Sequence, residues 1–328
     1  MKVLFCIRND YLKNFAGDSM QLLKTAEYLR NMKVNIDINN GNITNYSNYD
    51  LIHLFNLTRM GETYKYYKIA KFYNKPIVIS PIYWNLNKYY NYIHDSKSIR
   101  LWKKCDPYRK EILNSCNMMY PNSIIEGELI KKDFKVPLPY TVIYNGIEIP
   151  KSKSFSSNID SENKLENHVL CVGRICPRKN QLALAEICNK LKVKLLLAGS
   201  INDKDYFNKC IAFNNVHYLG FINNHHIYNI YKSAKVHALP SYVETPGLSS
   251  LEAAINGCNI VSTIEGSAKE YFKDMAIYCN PYDYDSIFKS IEIALKSDNN
   301  VNLSHYIAKN LNWNKCVSPL YDSYCNLI

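Results

Sequence analysis

The feature that most constrains this chain is a rhythm: short, continuous apolar runs alternate with longer amphipathic stretches from end to end. In the first half the runs are KVLFCI (2–7), LIHLF (51–55), PIVIS (76–80), MMY (118–120) and TVIY (141–144). In the second they are HVLCVG (168–173), VKLLLAG (193–199), KVHALP (235–240), NIVST (259–263) and AIYC (276–279). Strands that are apolar throughout are buried on both faces, and intervening helices supply the cover. The pattern therefore predicts an α/β protein with doubly wound parallel sheets. SMQLLKTAEYLRNM (19–32) and NQLALAEICNKL (180–191) read as two of those helices. In the latter, Leu182, Ala185, Ile187 and Leu191 return near helical spacing.

At 328 residues there is room for two domains. One stretch breaks the rhythm: KSKSFSSNIDSENKLEN (151–167) is polar, rich in Ser and Asn, and without periodicity. It reads as a linker between a domain over 1–150 and a second over 168–308. Two doubly wound domains in tandem are expected to bring their strand ends, where such sheets bind ligands, to either side of a cleft.

No apolar run approaches the roughly 20 residues of a membrane span, and MKVLFCIRND reads as a first strand, not a signal peptide. The eleven cysteines are dispersed, with no CxxC pair. Reduced, mostly buried thiols in a cytoplasmic protein are the expectation, without structural zinc. Net charge is +11, and residues 1–150 carry most of it, with 21 Lys and Arg against 13 Asp and Glu. Such a balance is either a solvated basic face or a surface that meets something anionic, a membrane or a phosphorylated ligand. No nucleic-acid-binding motif accompanies it.

The chemistry is concentrated in SYVETPGLSSLEAAINGCNIVST (241–263), which sets Glu244 and Glu252 on either side of a helix start. Pro246 suits a first helical turn. Gly247 admits close approach of another group. A helix over 247–256 would carry Leu248, Leu251 and Ile255 on one stripe, with Gly257 as its stop. The free N–H groups of Gly247, Leu248 and Ser249 would form an anion site. Two carboxylates beside a phosphate would repel it, but they fit a diphosphate that carries hydroxyl-bearing groups at both ends.

HVLCVGRICPRKNQ (168–181) supplies the cations. Gly173 ends a strand, and Arg174, Arg178 and Lys179 stand just before a helix. Cations at a helix N-terminus oppose its dipole unless they bind an anion. In the first half, IRNDYLKNFAGDSMQ (7–21) follows the first strand. There Gly17 would allow a loop to approach a ligand, with Asp18 and Ser19 as candidate N-caps.

Together these residues resemble the signature of retaining glycosyltransferase family four, of the GT-B fold. The resemblance rests on E-x7-E from Glu244 to Glu252 with GL between and LEAA…G after, and on VGR…RK at 172–179. NG at 145–146, YLGFI at 218–222 and ALPS before Glu244 add to it. It spans nearly the whole chain and is strongest over 168–273. It implies that NLNWNKCVSPLYDSY (310–324) belongs to last helices that cross back to complete the first domain, about 309–328.

By the same resemblance, Arg174 and Lys179 would hold the diphosphate of a nucleotide-sugar donor. Glu244, Pro246 and the Gly247–Ser249 backbone would contact the sugar and distal phosphate. Glu252 would take the ribose hydroxyls, Ile222 after Gly220 would lie against the base, and Gly173 and Gly17 would line the diphosphate. The implied reaction is sugar transfer with retention to a glycan or lipid-linked acceptor, without a metal or other cofactor, at the cytoplasmic membrane face.

The chain departs from the family in three places. Thr245-Pro246 precedes the Gly-Leu, a single glycine stands at 17, and ISPIYWN (79–85) offers Tyr83 and Asn85 where many members have a histidine. His53 and His94 are no obvious substitutes. The acidic spacings DKD (203–205) and DYD (283–285) read as surface loops, not metal ligands. Two other functions stay open, a catalytically idle nucleotide-sugar-binding subunit and a GT-B-fold sugar-nucleotide epimerase.

Overall fold

The computed structural model describes residues 1–149, 166–222 and 224–328. It divides into one unit of Met1–Gly146 with Trp313–Ile328, and a second of Ile147–Asn312. All but the last two residues of the expected linker 151–167 lie outside the described residues; those two, Glu166 and Asn167, already belong to a strand.

The first unit runs β1 (Lys2–Cys6), α1 (Gly17–Asn31), β2 (Asn35–Asn39), β3 (Leu51–Phe55), α2 (Met60–Phe72), β4 (Ile77–Ser80), α3 (Asn87–Tyr92), α4 (Ser96–Ser115), β5 (Met118–Met119) and α5 (Ile124–Phe134). Its five strands are parallel in the order β2-β1-β3-β4-β5. β3 and β4 are buried along their whole length, the physical reason their sequences are apolar apart from His53 and Ser80. β2, NIDIN, has polar alternate positions and stands at the sheet edge, so it gives no apolar run to read. TVIY (141–144), expected as a strand, forms none; its neighbour Tyr140 makes only a single bridge to Met119.

The second unit runs β6 (Glu166–Val172), α6 (Gln181–Lys190), β7 (Lys194–Ala198), α7 (Lys204–Ile211), β8 (Val216–Tyr218), α8 (Asn224–Ser233), β9 (Ala234–Leu239), α9 (Leu248–Ile255), β10 (Asn259–Thr263), α10 (Ala268–Phe272), β11 (Ile277–Cys279), α11 (Tyr284–Lys296) and α12 (Val301–Asn310). Its six strands are parallel in the order β11-β10-β9-β6-β7-β8. In α6 the buried stripe is Gln181, Leu184, Ala185, Ile187 and Cys188. Leu182 and Leu191, expected on that face, are only half-buried.

The last helix, α13 (Trp313–Leu327), packs with α1 in the first unit, burying Trp313, Val317, Leu320 and Tyr324. It completes a polar chain through the core. His53 of β3 is fully buried, with Nδ1 on the Tyr324 hydroxyl and Nε2 2.9 Å from Ser80 Oγ. Burial pushes its pKa down to about 3, so the ring is neutral and structural.

Candidate functional site

In an open parallel sheet, ligands bind outside the carboxyl ends of the strands, where the strand order reverses. In the second sheet that reversal falls between β6 and β9, which pair through Val169–Val236 and Leu170–His237. The segments leaving these strands carry Gly173, Arg174 and Lys179 on one side and Glu244 on the other.

These segments meet. After β6 the chain forms a single 3-10 turn, Pro177–Lys179, closed by Asn180 in the left-handed region (φ 59°). The turn aims Lys179 at the loop after β9, and its Nζ lies 2.5 Å from Glu244 Oε2, both side chains about nine-tenths buried. Arg178 fixes the same loop, donating from Nη1 to the Val243 carbonyl at 3.0 Å and accepting from Tyr242 N–H at 3.0 Å. Burial alone would raise the Glu244 pKa. The charges of Lys179 and Arg178 and the Lys179 hydrogen bond outweigh it and hold the carboxyl below its usual range, ionised. Arg174 is half-buried, and its carbonyl accepts from the Gln181 side chain at 2.8 Å.

The Glu244 backbone is clamped by the loop that follows β10. Its N–H donates to the Glu265 carbonyl at 3.0 Å, and its own carbonyl accepts from Ser267 N–H at 3.1 Å. Gly266, between those two, has φ 120°, and a Cβ there would stand 2.0 Å from the Glu244 carbonyl oxygen. Only glycine fits. This residue escaped the sequence reading, because a glycine matters here through a contact 22 positions away.

The expected helix at 247–256 is α9, Leu248–Ile255, with Gly247 as its cap at φ 81°. A side chain at Gly247 would press on Glu244 Cγ (3.2 Å) and Leu239 (3.0 Å). The helix ladder begins with Ser250 and Leu251, both donating to the Gly247 carbonyl. The N–H groups of Gly247, Leu248 and Ser249 stand outside it, at the positive end of the helix. Ser249 Oγ donates to the Val172 carbonyl at 2.8 Å, which docks this helix start on the end of β6. Beneath, His237 is fully buried, with Nε2 3.4 Å from Val172 N–H; burial pushes its pKa down to about 3, so it adds no charge.

Glu252 lies one turn into α9, where Tyr231 of α8 donates its hydroxyl to Oε2 at 2.9 Å. Burial pushes its pKa up to about 7, partly opposed by that hydrogen bond. Pro246 is buried beside Gly247, and Ile222 is half-buried in the loop after β8, two residues past Gly220 (φ 79°). Gly173, Gly199 and Gly220 line up at successive strand ends. Gly173 N–H reaches the Ala198 carbonyl at 2.8 Å, and Gly199 N–H reaches the Gly220 carbonyl at 2.9 Å. Gly199, which the sequence reading passed over, has φ 138° and would clash with the Gly173 carbonyl at 2.2 Å if it bore a Cβ.

Gly17 belongs to the first unit. There the strand order reverses between β1 and β3. Gly17 opens α1 with clear space where a Cβ would stand, after the extended residue Ala16. Asp18 and Ser19 are not N-caps. Asp18 is buried and accepts from Arg8 Nε at 2.8 Å and from Asn56 Nδ2 at 3.1 Å, while Ser19 Oγ accepts from Arg8 at 2.9 Å. Arg8 also pairs with Asp10 at 2.6 Å, so one buried guanidinium fixes the whole loop 8–19. Tyr83 and Asn85 both donate to Asp133, at 2.8 and 2.9 Å.

The two acidic spacings have local structural roles. Asp203 caps α7 by accepting from Tyr206 N–H, and Asp283 caps α11 through Asp285 and Ser286 N–H. Among the described residues no cluster of His, Cys, Asp and Glu suits a metal ion, none of the eleven cysteines forms a disulfide, and no helix is long and apolar enough to cross a membrane.

Two parallel-sheet α/β units of these strand orders define the GT-B class of fold. A family model described as glycosyl transferases group 1 matches residues 152–312, just under half of the chain. An uncharacterized glycosyltransferase of Methanocaldococcus jannaschii is 29% identical over 226 residues, 62% of this chain; the match spans only 56% of that relative's length. The capsular polysaccharide biosynthesis glycosyltransferase CapH of Staphylococcus aureus is 26% identical over 259 residues, 68% of this chain and 70% of its own. Among solved structures, sucrose-phosphate synthase from Thermosynechococcus elongatus superposes with a TM-score of 0.77 at 13% identity, covering 100% of this chain and 99% of its own. Anabaena HepE, solved with UDP and glucose, gives 0.73 at 15%, covering 99% and 100%.

Proposed function

We propose that this protein is a retaining glycosyltransferase that moves a hexosyl or related group from a nucleotide-diphosphate sugar to a glycan or lipid-linked acceptor in cell-surface polysaccharide synthesis. The observation that carries the reading is the Lys179–Glu244 pair beside the start of α9, at the strand-order reversal of the second sheet. As the anomeric bond loosens, negative charge collects on the departing diphosphate and positive charge on the sugar. Arg174, Lys179 and the N–H groups of Gly247–Ser249 stabilise the first, and a fixed charge of this kind acts more strongly in the transition state than in the ground state. Ionised Glu244 accepts from sugar hydroxyls, and Glu252 from ribose hydroxyls. Pro246 shapes the turn, Gly173 leaves room for the phosphates, and Ile222 lies by the base; in the first unit Gly17 gives its own loop open space.

The donor diphosphate is neutralised by protein cations in place of a divalent ion, so transfer persists in a chelator. CapH, named for capsular polysaccharide biosynthesis, supports the pathway class, and HepE, solved with UDP, supports a uridine diphosphate donor as the first to try. The basic first unit sits near an anionic membrane surface at the cytoplasmic face.

The test is a thermal-shift screen of nucleoside diphosphates and their sugars, followed by transfer to native acceptor extract with NMR of the anomeric proton in the product. A larger glycan with the donor's configuration is expected. An isomerised donor would point to an epimerase, and binding without turnover to an idle subunit.

A further inference from the structure

α4 divides sharply into two faces. Inward, Trp102, Arg109, Ile112 and Leu113 are buried, with the Arg109 guanidinium stacked 4.0 Å from the Trp102 ring. The helix's two carboxylates are both engaged: Asp106 with Arg109 at 2.7 Å, and Glu111 with the hydroxyls of Tyr64 and Tyr67. Outward, Lys97, Arg100, Leu101, Lys104 and Tyr108 follow helical spacing along one exposed stripe, flanked by Lys103 and Lys110. Among the described residues none of these five cations forms an ion pair within 4 Å; Lys97 lies near the Asp95 carboxylate, and Asp106 is held by Arg109. Leu101 is 61% and Tyr108 44% exposed, and the turn that leads into the helix adds Tyr92 at 50% and Ile93 at 43%.

A solvated basic face needs no large apolar side chains. Cations with leucine, isoleucine and tyrosine between them match a surface that offers negative headgroups over hydrocarbon. We propose that the outward face of α4, with the turn before it, docks this protein onto a bilayer surface rich in anionic lipid. This deepens the membrane part of the reading above by naming the surface. The interleaved aliphatic residues favour lipid over nucleic acid, which has no use for Leu101 or Ile93.

The experiment is co-flotation of the full chain with phosphatidylcholine vesicles, with and without phosphatidylglycerol, over a salt series. Binding is expected only with phosphatidylglycerol, and weakening as salt rises. R100Q/K103Q/K104Q should lower the partition on the order of 100-fold. L101Q/Y108Q should remove what survives at high salt. Arg100, Lys103, Lys104 and Leu101 are exposed, so the triple variant should melt like the wild type; Tyr108 also packs edge-on against Tyr64 at 5.0 Å, so L101Q/Y108Q is read at a temperature where it stays folded. No flotation with anionic vesicles, or equal flotation of the triple variant, overturns the proposal. So does tighter binding to a duplex or single-stranded oligonucleotide that strips the protein from vesicles. Thermal shift by sugar nucleotides is read in parallel: vesicle binding without donor binding would sink the transferase reading and leave this one standing.

Discussion

Lys179 Nζ and Glu244 Oε2 lie 2.5 Å apart at the mouth of the second sheet, though 65 residues separate them in the chain. The pair is nearly dry, and Lys179 helps hold Glu244 ionised. Removing one leaves the other buried and unpaired, which costs about 3–5 kcal/mol. We expect Lys179→Ala to lose stability of that order, and Glu244→Ala and Lys179→Ala each to lower transfer about 100-fold or more. Glu244→Gln with Lys179→Met should recover most of the stability and none of the activity. Chemical denaturation and initial rates on the three variants check this; unchanged turnover in a single variant removes that residue from the site.

Gly266→Ala should act on the same carboxylate from the other side. A Cβ 2.0 Å from the Glu244 carbonyl at φ 120° forces the backbone to move. A loss of about 2–3 kcal/mol is expected, together with lower transfer, although residue 266 offers no chemistry of its own. Full activity with wild-type melting would show that the clamp does not position Glu244.

Glu252 gives a pH dependence with a definite sign. Its folded pKa of about 7 lies above the ordinary carboxyl value of 4.5, so the folded protein binds more protons than the unfolded one between those values. Stability from this group is present below pH 4.5 and is lost as pH rises to 7 and beyond. Glu252→Gln keeps an acceptor for the Tyr231 hydroxyl and removes the titration. Its melting temperature should gain on wild type as pH goes from 5 to 8, while donor affinity falls. A constant difference in melting temperature across that range would contradict the assignment.

His53 should matter to folding and not to turnover. His53→Ala leaves Ser80 and Tyr324 without their buried partner, a cost of about 1–3 kcal/mol plus that of the cavity. Rates at a temperature where the variant stays folded should match wild type. A rate loss beyond tenfold would place this histidine in the chemistry.

The sequence alone determined the sheets and the identity of the charged groups. Continuous apolar runs can be stable only when covered on both faces, so β1, β3, β4, β6, β7, β9 and β10 were legible as parallel strands. Pro246, Gly247 and Gly257 bracket α9 by local backbone preference, which needs no tertiary contact. Local rules failed where a long-range partner overrides them. TVIY is mostly apolar yet forms no strand, with only Thr141 and Ile143 N–H reaching the Met119 and Pro121 carbonyls; NIDIN is polar yet a strand because an edge position tolerates it, and Asp18 turns from a cap into the counter-ion of Arg8. What only the tertiary structure decided is which residues meet. Lys179 with Glu244, Gly266 under Glu244, Gly199 against Gly173 and Tyr231 on Glu252 are contacts between loops and helices that follow different strands. Strand order sets them, and no local spacing encodes strand order.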